Sequence, residues 1–224
     1  VARERGVVLA ELRDRNTFAW RNYVDATDFA HPSARFRHRM PIGTPETLGA
    51  ATAETLRAFW AREYVPAQST VVVIGDFPVE TVELAIRQRF DSWRAAPAEV
   101  QPEAGPVDPE RKAQTDIHID PALSEQVTAI RHSRMIDEPD TLEQRKLRIL
   151  RLVGYAIVNR RLQRRMLEAD PPFRSAALGS ADVFDAGRST TLLVNTVDGK
   201  WRRGLTEAAT EYRRAMLHGF SAAE

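Results

Sequence analysis

Apolar residues recur at helical spacing over several stretches of the 224-residue chain. In residues 1–30 they fall three and four positions apart, with arginine and acidic residues between them, which predicts one long helix. The same pattern predicts four further helices, over residues 52–64, 79–93, 141–169 and 200–218. Pro171 and Pro172 end the 141–169 helix, because proline cannot continue a helix.

Strands are predicted by β-branched runs and by two-residue alternation. The run Thr-Val-Val-Val-Ile at 70–74 ends at Gly75-Asp76 and is typical of a buried strand. Similar patterns predict four more strands, over residues 115–120, 125–132, 175–184 and 189–196. Since the second half places adjacent strands before each helix, the pattern favours an α+β fold over a doubly wound parallel sheet. The predicted domains therefore have two layers, helices on an antiparallel sheet.

The segment 95–110 is rich in Ala, Pro and Glu and predicts a linker. The chain thus divides into a first domain at 1–95, a linker at 96–112 and a second domain at 113–224. The first domain has one strand, so it is predicted to be incomplete, with its partner strands upstream. The second domain is nearly complete and truncated at its C-terminus. Because Ser221-Ala-Ala-Glu224 has the spacing that opens a helix, we expect an internal piece of a longer protein.

Charge and cysteine content narrow the possible functions. Lys and Arg number 32 and Asp and Glu number 31, a net charge of +1, which gives no case for a nucleic-acid or anionic-membrane partner. The absence of cysteine excludes disulfides, thiolate zinc sites and cysteine nucleophiles, and leaves the compartment open. No apolar run approaches the ~18 residues of a membrane span.

Other candidate sites have a simpler interpretation. The absence of Gly-x-Ser-x-Gly and of glycine-rich phosphate loops disfavours a serine hydrolase and a nucleotide-binding protein. A basic cluster on the 141–169 helix could bind phosphate, but nearby acidic residues favour a solvated face; it consists of Arg160, Arg161, Arg164 and Arg165. A free-standing nucleic-acid-binding module remains a hypothesis that needs a coherent basic face. The basic segment 35–39 and His118 are interpreted as exposed surface.

Two carboxylates on the first helix are the main candidates for chemistry. Glu4 and Glu11 project from nearly the same face, because seven residues are close to two helical turns. Such a pair can serve a metal, with one carboxylate binding it and the other supporting a ligand or water. Gly6 costs roughly 1 kcal/mol of helix propensity, which predicts close packing against another element. Taken alone, a helix rich in Glu and Arg is more often a solvated face.

Four motifs follow one another along the first domain. They are Glu4-Arg5-Gly6-Val7-Val8-Leu9-Ala10-Glu11, Pro41-Ile42-Gly43-Thr44, Phe59-Trp60-Ala61-Arg62-Glu63-Tyr64-Val65-Pro66-Ala67 and Val71-Val72-Val73-Ile74-Gly75-Asp76. In this order they resemble the pitrilysin/insulinase family of zinc peptidases, especially its bacterial members. The resemblance covers about residues 3–95 strongly, and the second half looks like the family's following domain.

The resemblance implies a zinc site of three protein ligands. In the family, two histidines of a His-x-x-Glu-His helix and a glutamate of a later helix hold zinc, and the motif glutamate is the general base. By position, Glu11 corresponds to the zinc ligand and Glu4 to a supporting glutamate. The chain has five histidines outside any such motif: His31, His38, His118, His132 and His218. Since only 10 residues precede Glu11, the segment with the motif is absent from this chain.

The implied function is that of a fragment of a zinc-dependent metalloendopeptidase, which hydrolyses small or unfolded polypeptides with zinc-activated water. Zinc belongs to the parent protein, and we expect this chain alone to be inactive and to bind none. The implied partners are a peptide substrate and the remainder of the same protein or a second family half. The alternative is a non-catalytic structural or peptide-holding member of the same fold. The resemblance favours the periplasm, and the cytoplasm stays open.

Overall fold

The computed structural model of the chain describes residues 1–94, 97, 99–135 and 139–224. It consists of two compact units. The first contains Val1–Arg15 and Pro41–Pro102, and the second contains Asn16–Met40 and Glu103–Glu224. Residues 96 and 98 of the predicted linker lie outside the described residues, and the predicted domain limits stay a prediction.

The described residues of the first unit form four α-helices. They are α1 (Ala2–Arg15), α3 (Pro45–Ala50), α4 (Ala53–Glu63) and α5 (Val79–Phe90). Threonines start α3 and α4, since the side chains of Thr44 and Thr52 accept the backbone N–H of the residue three positions on, in capping boxes. Among the described residues of this unit only Val65 is buried. The predicted helices at 52–64 and 79–93 are confirmed within a few residues.

The predicted strand at residues 70–74 is wrong for this structure. No strand is assigned there among the described residues, and the four apolar side chains of Val71–Ile74 are 48% to 90% exposed. A strand needs a neighbour for its backbone N–H and C=O groups, and none of the described strands pairs with this segment. The β-branched composition by itself therefore does not form a strand here.

The second unit has a three-stranded antiparallel sheet covered by two helices. The strands are β1 (Gln126–Ser133), β2 (Phe173–Val183) and β3 (Gly187–Thr196), in the order β1-β3-β2. The helices α6 (Leu142–Met166) and α7 (Trp201–His218) pack on this sheet. One hydrophobic cluster joins the two layers, and its buried members are Val158, Leu162, Phe173, Leu178, Leu192, Val194, Ala208 and Ala215. This arrangement confirms the predicted α+β class.

The single helix predicted for residues 1–30 is in fact two helices. The first, α1, ends at Arg15, and α2 runs over Phe18–Ala30 in the second unit. Thr17 begins α2, because its side chain accepts a hydrogen bond from the N–H of Trp20 at 3.2 Å. Helical periodicity continues through the break, so a period-based prediction could not detect it.

The predicted strand at residues 115–120 is also wrong. No strand is assigned there, and Ile117 and Ile119 are 81% and 85% exposed. Asp120 instead accepts the N–H of Ala122 at 3.0 Å and the guanidinium of Arg21 at 2.9 Å. These bonds make a turn anchored to α2, since an aspartate that accepts an N–H two residues on favours a turn over a ladder.

Candidate functional site

Helix α1 carries both sequence-predicted site residues, Glu4 and Glu11. Their side chains are 62% and 49% exposed, and each is paired with an arginine of the same helix. Seven residues of helix separate their backbones by about 10 Å along the axis and by about 20° around it. The helix therefore keeps the two carboxylates on one face. If Glu11 bound a metal ion, Glu4 would lie two turns away, where it could support another ligand or a water.

The ion pairs on α1 are too weak to prevent these carboxylates from binding a metal ion. Glu11 accepts Arg15 Nη2 at 2.6 Å, and Glu4 accepts Arg3 Nε at 2.9 Å. Exposed pairs of this kind contribute about 0–1 kcal/mol. A metal–carboxylate bond completed by other ligands outweighs such a contribution, so Glu11 remains available as a ligand.

Arg5 fixes α1 to the segment that joins α3 and α4. Its Nη2 donates to the carbonyl oxygen of Ala51 at 2.5 Å, whereas its Nε is buried without a hydrogen-bond partner. The close packing predicted for Gly6 is not found, because a Cβ added there would meet nothing within 4 Å. In the sequence, Arg5 stands out only as part of the Glu4-Arg5 motif, and no local pattern marks it as the residue that holds the helix.

The described residues contain no cluster of three or more His, Cys, Asp or Glu side chains arranged to hold a metal. A catalytic zinc takes three protein ligands and one open position. Glu11 could therefore contribute one ligand of such a site, and the described residues do not form a three-ligand group around it.

Four of the histidines contact an aspartate, an arginine or another histidine. His118 Nδ1 lies 3.0 Å from a carboxylate oxygen of Asp25. His38 accepts Arg37 Nε at 2.7 Å. His31 and His132 form a pair within the second unit, with ring centroids 4.8 Å apart. Only the tertiary structure identifies this pair, because the two residues lie in separate parts of the sequence.

Two of the four arginines in the basic cluster of α6 are neutralised by ion pairs. Arg161 pairs with Glu224 at 2.6 Å, and Arg165 pairs with Glu168 at 2.8 Å and Glu207 at 2.5 Å. Arg160 donates to the backbone carbonyl of Glu224 at 3.0 Å. A phosphate-binding face needs unpaired cations that converge on one surface, and these arginines are engaged within the unit.

Among the described residues, no helix combines the length and the apolar character needed to cross a bilayer.

Comparison with known proteins shows that the chain is similar to M16 peptidases. The family model described as the peptidase M16 inactive domain matches residues 50–144. The "Zinc protease PQQL-like" of Arabidopsis thaliana is 23% identical over 82% of this chain and 19% of its own length. The "Probable zinc protease PqqL" of Escherichia coli is 25% identical over 99% of this chain and 24% of its own length. The chain thus spans about a quarter or less of these curated relatives.

The crystal structure of the periplasmic protease PqqL from Escherichia coli has the same fold. It superposes with a TM-score of 0.80 at 24% identity, over 98% of this chain and 24% of that one. The structure of the first half of PqqL matches equally well and is covered to 47%. The family model, the curated relatives and the fold agree with the motif series on and after α1. These matches support the resemblance of the chain to the pitrilysin/insulinase family, the M16 peptidases.

Proposed function

We propose that this chain is the part of a zinc-dependent metalloendopeptidase that supplies the carboxylate of Glu11 as one of three zinc ligands. The observation that carries the proposal is the pair of exposed carboxylates, Glu4 and Glu11, on one face of α1. The names of the curated relatives, both zinc proteases, add support. The other two ligands come from outside this chain, and the family resemblance implies that they are histidines.

Three residues of α1, namely Glu4, Arg5 and Glu11, have a proposed role at the zinc site. Glu11 offers a negatively charged oxygen ligand, and Glu4 accepts a hydrogen bond from a neighbouring ligand or water, as outer residues of metal sites do. Arg5 keeps α1 in place through its bond to Ala51. When bound, zinc supplies an activated water for hydrolysis of a peptide bond. The chain alone lacks the other ligands, so we expect it to be inactive.

The substrate class and the setting are part of the same proposal. Small or unfolded polypeptides are the proposed substrates, and the remainder of the same protein, or a second family half, is the proposed partner. The match to the first half of PqqL supports a partner half. The periplasm is the proposed location, on the ground that PqqL is a periplasmic protease. Fractionation of cells that express the full-length protein tests this location.

The ligand assignment is tested by Glu11→Gln in the full-length protein. A neutral amide is a poor zinc ligand, so we expect zinc occupancy to fall and peptidase activity to drop at least about 100-fold. For Glu4→Gln we expect a smaller loss, about 10-fold. Metal analysis and hydrolysis of an unfolded polypeptide measure both effects.

Asp14→Asn is the matched control for this experiment, because Asp14 is an exposed carboxylate on the same helix. We expect it to change zinc content and activity by less than about twofold. If Glu11→Gln keeps both zinc content and activity, the ligand assignment is wrong.

A second candidate function is a non-catalytic, peptide-holding role. The description of the matching family model as an inactive domain favours it for residues 50–144. The two candidates differ when the full-length protein is treated with a chelator. Hydrolysis that stops with the chelator and returns with zinc supports the peptidase. Binding of an unfolded polypeptide without hydrolysis, whether zinc is present or not, supports the holding role.

A further inference from the structure

Two imidazoles meet inside the unit formed by residues 16–40 and 103–224. His31, which follows the last turn of α2, is 8% exposed, and His132 is half-buried on β1. Their ring centroids are 4.8 Å apart with an edge-to-face angle of 62°. His132 Nδ1 lies 2.9 Å from Ser189 Oγ, whereas His31 Nδ1 is buried and has no hydrogen-bond partner. The contact joins the C-terminal end of α2 to the sheet.

Arg111 adds a positive charge beside this contact. Its Nη1 donates to the carbonyl oxygens of Phe29 at 2.8 Å and Ala30 at 3.3 Å, so it satisfies carbonyls at the end of α2. The guanidinium is thereby held close enough to act on both imidazoles.

No carboxylate among the described residues is paired with His31, His132 or Arg111. Three carboxylates on the surrounding elements face other groups: Asp28 lies 3.7 Å from Arg37 Nε, Asp25 contacts His118, and Asp182 pairs with Arg188. A proton added to either imidazole would therefore lie beside the positive charge of Arg111.

We propose that the His31–His132 contact is a pH-sensitive latch, which holds residues 16–40 on the sheet at neutral pH and releases them in acid. The latch consists of the two imidazoles and Arg111. It engages when both rings are neutral, because neutral rings pack edge to face with no charge to compensate. Two protonated rings beside Arg111 would place three positive charges together in a partly desolvated site.

The direction of the pH dependence follows from the titration of the two rings. Burial, and then the charges of His132 and Arg111, lower the pKa of His31 to about 4. Burial and Arg111 also lower the pKa of His132. In the released segment both rings regain a pKa of about 6.5. The released form therefore takes up protons as the pH falls from 6.5 to 4, so docking is complete above about pH 7 and weakens below it.

Hydrogen exchange of the whole chain tests the latch. Exchange of peptides from residues 18–38, normalised to an unstructured reference at each pH, gives the opening constant of the segment. Between pH 7.5 and pH 5, proton uptake by His31 alone raises this constant about 30-fold. Peptides from β2 and β3 should change much less over the same range, because they are not released with the segment.

Variants separate the latch from general acid sensitivity. His31→Phe keeps an aromatic ring at a position where Nδ1 has no partner, and it should remove most of the 30-fold rise. His38→Asn is the control, because His38 is exposed in the same segment, and it should retain the rise. A direct NMR titration of His31 in the unaltered chain gives an independent result. An opening constant that does not change with pH, an equal change in β2 and β3, or a His31 that titrates near pH 6.5 would each overturn the proposal.

Discussion

Gly105 and Gly199 adopt nearly the same left-handed backbone conformation, with φ angles of 76° and 74°. Their surroundings differ. A Cβ added to Gly105 would lie 2.0 Å from the carbonyl oxygen of Ser33, whereas one added to Gly199 would meet nothing within 4 Å. Gly105 is therefore required by close packing as well as by its φ angle. This contact brings part of the predicted linker against residues 33–34.

Substitution of the two glycines by alanine should lower stability by different amounts. An alanine at either position has to adopt a left-handed conformation, which costs about 1 kcal/mol. At Gly105 the new Cβ also forces the backbone at Ser33 to move, so we expect Gly105→Ala to lower the free energy of unfolding by about 2–3 kcal/mol. For Gly199→Ala we expect about 1 kcal/mol. Urea titrations followed by circular dichroism measure both, and equal losses would show that the approach to Ser33 is not tight.

At the scale of elements, α6 protects one edge of the sheet through a single amide. At Leu178 of the outer strand β2, the backbone N–H and C=O groups have no partner on a neighbouring strand. Asn159 on α6 donates to the Leu178 carbonyl at 3.0 Å and accepts its N–H at 2.8 Å. A side-chain amide reproduces the donor and acceptor of a neighbouring strand, so it satisfies both groups of this edge residue. The helix thus covers the strand as well as packing on it.

Loss of this amide should destabilise the second unit. In Asn159→Ala both backbone groups of Leu178 lose their partner at a buried residue, which costs about 1–3 kcal/mol. Gln163→Ala is the control, since Gln163 is an exposed amide on the same helix, and we expect a change within about 0.5 kcal/mol. Thermal unfolding of the two variants measures the difference. Equal stabilities would mean that water replaces the amide without cost.

At the scale of the whole molecule, the two units differ in how much they bury. The second unit has an interior that joins sheet and helices, with Leu162, Phe173 and Val194 fully buried. The first unit, which carries Glu4 and Glu11, buries only Val65 among its described residues. Burial of apolar surface is the main source of stability. We therefore expect the first unit to have a lower free energy of unfolding than the second.

The isolated chain is expected to bind little zinc. Glu11 offers one carboxylate where a catalytic zinc takes three protein ligands. We expect less than about 0.1 zinc per chain after dialysis, and no peptidase activity, because a lone carboxylate binds zinc weakly. Metal analysis of the dialysed chain measures the content. One zinc retained per chain, and lost in Glu11→Gln, would contradict the incomplete-site interpretation.

The sequence by itself determined the helices α4 to α7, the hairpin of β2 and β3, and the common face of Glu4 and Glu11. Helix hydrogen bonds close within a segment, and a hairpin pairs neighbours in the chain, so local pattern is sufficient for both. The resemblance to the pitrilysin/insulinase family likewise rests on the motif series in the sequence.

Only the tertiary structure decided which extended runs become strands and which distant side chains meet. The runs at 70–74 and 115–120 have strand composition, but none of the described strands pairs with them. The break at Thr17 follows from a cap that periodicity does not reveal. The contact of His31 with His132, and the role of Arg111 beside them, depend on segments far apart in the chain. Such contacts arise from packing between elements, which a one-dimensional pattern does not contain.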